Sequence, residues 1–238
     1  MALDSSVKRN LALTSSIKEG DGGEIMRNSL TLLAVLIATS ATADVTSRDG
    51  GPSQSEMTAR SNPGAPDGVA FFRPVLDGVL YRGGFSSGDS DRTGLSSSQR
   101  TELCSEGFST GFYADFGRNT DYGTTSCGGG GFDYQSARSS RPSNVLKAVY
   151  DVIKAPEEGP VYVHCMWGVH SSGALSAMAL VQFCGWSEDR AKSYWNDTRN
   201  GAPCSGGCDA WIDAKFENFS FNPALSISAD ERAAICPE

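Results

Sequence analysis

The sequence predicts an α/β domain with a central, mostly parallel sheet flanked by helices. Two observations carry this prediction. Strand-like and helix-like segments alternate from about residue 78 to residue 197. GPVYVHC (159–165) is a continuous apolar run, the pattern of a strand buried on both faces of a parallel sheet.

The elements follow in order. The fold opens at FFRPVLDGVLYRGG, with GVLYR (78–82) as a short strand. SSSQRTELCSEG (96–107) reads as a helix, with serines at its start and Gly107 at its end. FSTGFYADFG (108–117) is a second strand, residues 118–130 a long loop without an element of its own, and FDYQ (132–135) a brief strand. SNVLKAVYDVIKA (143–155) is an amphipathic helix, with Ser143 as its cap and Val145, Leu146, Val149 and Ile153 at helical spacing. After the apolar strand, SSGALSAMALVQFCG (171–185) is a long apolar helix that ends at Gly185, and SEDRAKSYWND (187–197) is another.

Upstream of the fold, MRNSLTLLAVLIATSATA (26–43) has the layout of a secretory signal peptide. Arg27 is its positive start, Leu30 to Ile37 its apolar centre and Ala41-Thr42-Ala43 its cleavage site. The apolar run is shorter than the roughly 20 residues needed to span a bilayer. The expected organisation is a non-native extension over 1–25, the signal over 26–43, a flexible Ser/Gly/Pro-rich leader over 44–68, and one domain over 69–238 whose C-terminal part is rich in cysteine. A secreted or periplasmic location follows. No stable membrane insertion is expected once the signal is removed.

The net charge is −8, and the charges of residues 1–43 cancel, so the acidity belongs to the domain. An acidic surface argues against nucleic acid as a partner. Of the seven cysteines, Cys165 stands apart, and the other six are expected in disulfides, with Cys204 and Cys208 close enough to staple a small loop. They lack the paired spacing of a zinc site, so no metal and no cofactor is expected.

The chemistry concentrates in VYVHCMWGVHSSG (161–173), which holds both histidines of the chain. A buried strand, a tight loop and a helix start together make an anion site, because backbone N–H groups and the helix dipole point the same way. That field favours the thiolate of a cysteine at the loop entry. A thiolate beside such a cradle is suited to attack phosphorus and form a covalent phospho-cysteine.

HCMWGVHSSG resembles the H-C-x-x-G-x-x-R-[S/T]-G signature of the cysteine-dependent protein-tyrosine and dual-specificity phosphatases. His164, Cys165, Gly168, Ser172 and Gly173 fall at matching positions. LYRGG (80–84) is similar to the Tyr-Arg motif of small atypical members. The resemblance implies a dual-specificity-phosphatase-like fold and a phosphorylated substrate or phosphate-like anion as partner. Cys165 becomes the nucleophile, with His164 and Ser172 as catalytic neighbours. Met166, Trp167, Gly168, Val169, His170, Ser171 and Gly173 become the phosphate-binding loop. It also implies an aspartate general acid, expected at Asp133, with Asp121 and Asp115 as alternatives.

The departure is Ser171, where the family places an arginine that grips phosphate with a charged, planar fork. Three outcomes follow. Another cation compensates, with His170, Arg82, Arg118, Arg138 or Arg141 as candidates; or the loop binds an anion without turnover, as in pseudophosphatases; or Cys165 is a structural thiol. VHSSG also resembles a degenerate nucleophile elbow, but no histidine follows His170 to serve as its base. A thiol–disulfide oxidoreductase lacks its C-x-x-C pair. A secreted binding domain, using Trp167, Trp186, Trp195 and Trp211, is the non-enzymatic alternative.

Overall fold

A computed structural model describes residues 69–85, 94–114, 121–137, 142–199 and 208–237. The expected extension, signal and leader lie outside these residues, as do Cys204, Asp115, Arg118, Arg138 and Arg141. The side chains of Cys208 and Trp211 are likewise outside the description.

Six strands form one sheet in the order β1-β2-β6-β3-β5-β4. They are β1 (Val69–Leu76), β2 (Leu80–Phe85), β3 (Thr110–Ala114), β4 (Asp121–Cys127), β5 (Gly130–Ala137) and β6 (Val161–Cys165). The four central strands β2, β6, β3 and β5 run parallel, and the two edge strands pair antiparallel. The mostly parallel sheet expected from sequence is therefore present. All five residues of β6 are buried, which explains the unbroken apolar run.

Two edges differ from the sequence reading. The strand over 78–82 is the second arm of a hairpin, preceded by β1. Residues 121–127 are not loop but β4, hairpinned to β5 through Gly128 and Gly129, both at positive φ. A disulfide from Cys104 to Cys127 ties this edge strand to the first helix. The alternating polar pattern of a half-exposed edge, DYGTTSC, conceals the strand.

The helices are α1 (Ser97–Ser105), α2 (Ser143–Lys154), α3 (Ser171–Cys184), α4 (Glu188–Arg199), α5 (Cys208–Glu217) and α6 (Ala229–Ile235). Ser96 caps α1 in a reciprocal capping box with Gln99. Helix α2 has Pro142 at its cap position, so Ser143 lies inside the helix, and it buries Val145, Leu146, Val149, Val152 and Ile153. Helix α3 is buried on nearly every side, because its Ala, Gly and Ser residues admit close neighbours. Its end is tied to the C-terminal segment by a disulfide from Cys184 to Cys236.

The sheet separates two cores. Leu80, Phe112, Val161, Val163 and Cys165 join the aliphatic side with α2 and α3. Tyr113, Phe132, Tyr134 and Tyr162 form an aromatic layer on the other side with Leu103 of α1. Among the described residues no helix is long and apolar enough to cross a membrane.

Candidate active site

The loop from Met166 to His170 leaves the C-terminal end of β6 and enters α3 at Ser171. Its seat is the glycine pair of LYRGG. Gly83 and Gly84 of β2 are in register with His164 and Cys165. Gly168 crosses directly above them at φ +68, and a Cβ there would lie 2.5 Å from Gly83 C and Gly84 N. A Cβ on Gly84 would in turn meet Gly168 N at 3.0 Å. Glycines on strand and loop thus let the loop fold back onto the sheet. Tyr162 fixes the same place by donating to the Gly84 carbonyl at 3.0 Å. Burial pushes that phenol's pKa well above the usual range, so it stays a neutral donor.

Cys165 is the one free cysteine among the described residues, and it is buried, with 6% of its surface exposed. The thiol is thus nearly closed off from solvent. Its Sγ lies 3.3 Å from Ser172 Oγ. The first helix bond runs from the Ala174 amide to the His170 carbonyl at 2.9 Å. Ser171, Ser172 and Gly173 therefore form the first turn, whose N–H groups find no acceptor within a helix. The structure thus brings together Cys165, Ser172, Gly168 and Gly173. Ser171 and Val169 are buried, Met166 and His170 are partly exposed, and Trp167 stands out on the rim at 41% exposure.

His164 is placed differently from its expected catalytic role. Strand alternation turns its ring to the opposite side of the sheet from the thiol. There it stacks on Tyr113, Tyr134 and Tyr162, with ring centroids 4.9, 5.7 and 5.5 Å away. Tyr134 Oη accepts the Leu95 amide at 2.9 Å and lies 2.7 Å from His164 Nε2. The direction of the Tyr134–His164 hydrogen bond follows the imidazole tautomer. Burial drives the His164 pKa down to about 3 against a weaker opposing hydrogen bond to the Cys165 backbone. His164 is therefore an anchor of strand β6, not a cation or an acid at neutral pH.

Asp133 is not brought to the loop. It pairs with Thr110, which pairs with Val161, so it sits at the opposite end of the parallel strands from Cys165. Four residues of strand separate the two levels, about 13 Å. Its carboxylate accepts from Gln135 Nε2 at 3.1 Å instead. Asp121 is on the edge strand β4, three strands away from β6. The general acid expected at Asp133 is corrected on this register.

Arg82 is the cation that the fold does bring here. It is fully buried on the aliphatic side of β2. Its Nη2 donates to the Gly168 carbonyl at 2.9 Å, and its Nη1 to Tyr194 Oη at 3.0 Å and Thr198 Oγ1 at 3.3 Å. Its guanidinium lies 5.6 Å from the Tyr194 ring centre. Gly173 leaves the room for this: a Cβ there would sit 3.3 Å from both Nη atoms and 3.0 Å from Trp195 Cδ1. Trp195 Nε1 completes the frame by donating to the His170 carbonyl at 3.1 Å. Sequence reasoning misses Tyr194 and Thr198 of α4 and places Trp195 only on a candidate binding surface; their i, i+1, i+4 spacing on one helix face is the available signal. Among the described residues no cluster of His, Cys, Asp or Glu is placed to hold a metal ion.

No family model and no curated protein matches the sequence. Among solved structures the fold is similar to human DUSP28, with 15% identity over 64% of this chain and 95% of that one and a TM-score of 0.41. It is similar to P. aeruginosa TpbA, with 17% identity over 68% of this chain and 90% of that one and a TM-score of 0.39. A mouse putative dual specificity phosphatase complexed with zinc tungstate also matches, with 17% identity over 70% of this chain and 96% of that one and a TM-score of 0.39.

Proposed function

We propose that this protein is an exported phosphatase-like enzyme that hydrolyses a phosphomonoester through a phospho-cysteine at Cys165. The supporting observation is the coincidence of three features at one strand end. A thiol lies 3.3 Å from a serine hydroxyl in the first turn of a helix, and a buried guanidinium lies under that same turn. In the first step the Cys165 thiolate attacks phosphorus, the bond to the leaving oxygen breaks, and that oxygen takes a proton from solvent water. In the second step water displaces the thiolate, and Ser172 stabilises the departing sulfur by donating a hydrogen bond. The helix-start amides hold the phosphoryl oxygens throughout. The two disulfides support work in an oxidising compartment.

Ser171 favours a second reading, in which the loop holds a phosphate-like anion without turnover. Losing the arginine contact removes about 3–4 kcal/mol of transition-state stabilisation, or roughly a 10²–10³-fold loss in rate. The test is hydrolysis of p-nitrophenyl phosphate by the wild-type protein, Cys165→Ser and Ser172→Ala. Slow turnover that vanishes in Cys165→Ser, with a phospho-enzyme accumulating in Ser172→Ala, is the expected result. No turnover with retained orthovanadate binding selects the second reading, and neither turnover nor binding refutes both.

A further inference from the structure

The guanidinium of Arg82 is buried with no counter-charge among the described residues. It is fully inaccessible, its three hydrogen-bond partners are a carbonyl and two hydroxyls, and its Nε has no hydrogen-bond partner. Among the described residues no carboxylate pairs with it. Removing such a charge from water costs several kcal/mol even after relaxation, and neutral partners return only part of that. Neutral packing would be the cheaper design, so the retained charge needs a function. Its location supplies one. Both Nη atoms touch the space above Gly173 in the first turn of α3, and Nη2 holds Gly168 at the crest of the loop. The guanidinium therefore lies under the amides that would receive an anion, and its field adds to theirs.

We infer that Arg82 replaces, from beneath the loop, the positive charge that Ser171 does not carry. Arg82 is a positioning residue. It orients the Gly168 carbonyl away from the anion side, and it makes the cradle positive without touching the ligand. An anion bound in the loop would face this buried guanidinium, so part of the cost of burying the charge is offset on binding. His164 is held neutral in the aromatic layer. Helix α4 becomes part of the site by this route, since Tyr194 and Thr198 hold the guanidinium in place. The inference rests on the reading of the loop as an anion site.

The experiment is calorimetric titration of the full chain with orthovanadate, for wild type, Arg82→Lys and Arg82→Gln. Lysine keeps the charge without the fork, and glutamine keeps a donor for the Gly168 carbonyl without the charge. The expected result is wild-type affinity within about 5-fold for Arg82→Lys and a loss of about 10- to 100-fold for Arg82→Gln. A merely structural role predicts equal losses for both. Binding by wild type and equal binding by Arg82→Gln overturns the inference and leaves the loop reading intact. Absence of binding by wild type overturns both. Should Arg82→Gln fail to fold, Thr198→Val decides, because it removes a hydrogen bond and leaves the charge. Affinity within about 3-fold of wild type supports the charge as the cause, and a larger loss overturns it.

Discussion

Substituting Gly168 tests whether the loop is seated on β2. Alanine at this position meets two separate penalties. At φ +68 an L-residue is in the left-handed region, at a cost of about 1–2 kcal/mol. The new Cβ also lies 2.5 Å from Gly83 C and Gly84 N and 2.8 Å from Gly83 O, all backbone atoms that cannot rotate aside. Relieving such an overlap shifts the loop or β2, at a further cost of about 1–3 kcal/mol. Gly78 supplies the control. It has nearly the same backbone angle, φ +66, with nothing within 4 Å of its Cβ position. Gly78→Ala thus carries the first penalty alone, and the difference between the two variants isolates the contact. Urea denaturation at pH 7 reads both as shifts in midpoint at constant slope. Gly168→Ala is expected to lose about 2–5 kcal/mol in total, about 1–3 kcal/mol more than Gly78→Ala, and to lose orthovanadate binding as well. Equal losses in the two variants refute the seating of the loop on the glycine pair.

Three further expectations follow from the same geometry. Asp133→Asn leaves the rate of aryl phosphate hydrolysis and its pH profile unchanged, since Asp133 is in register with the far end of β6; a fall of tenfold or more in the rate counts against that register. His164 has its pKa lowered from 6.5 to about 3, so the unfolded chain binds the proton that the folded one excludes. Its contribution is full above pH 6.5 and is lost as pH falls from there toward 3, at about 1.4 kcal/mol per pH unit. Denaturation midpoints between pH 6.5 and 4 should therefore slope less steeply in His164→Gln than in wild type, and parallel slopes refute the neutral burial. Replacing Cys184 and Cys236 by alanine opens a 52-residue separation and replacing Cys104 and Cys127 opens one of 23, with expected losses of about 4 and about 3 kcal/mol in the chain-entropy account. Calorimetric melting of each double variant checks the order, which reverses only if the edge strand depends on its staple more than α6 does.

The sequence carried the framework of the fold because its central elements have strong local signals. VYVHC is apolar without interruption, SNVLKAVYDVIK has a clear helical stripe, and SSGALSAMALVQFC ends at a left-handed Gly185. The edge strands were weaker signals. β4 alternates polar residues on a half-exposed edge, and β1 contains register shifts that interrupt its period. In the site, Cys165 stands out as the cysteine at the entry of a strand–loop–helix unit, and Ser172, Gly168 and Gly173 follow from the resemblance of that unit to the phosphatase signature. Asp133 was misplaced because sequence proximity to the next helix says nothing about which end of a strand a residue occupies. His164 was misread for a related reason. Its neighbour is the thiol, yet strand alternation puts the two side chains on opposite faces, and only the aromatic layer built from three other strand residues shows what the imidazole does.

The sequence by itself determined the α/β class, the strand–loop–helix unit around Cys165 and the absence of an arginine at position 171, because each is local in the chain. The tertiary structure alone decided which charge lies under the loop. Arg82 is 86 residues from Gly168 and 112 from Tyr194, and no local pattern joins them. Parallel pairing of β2 with β6 places the arginine beside the thiol's strand, and packing of α4 against α3 closes over it. Long-range pairing and burial set the electrostatics of this site, and those depend on the distances between groups rather than on their order in the chain.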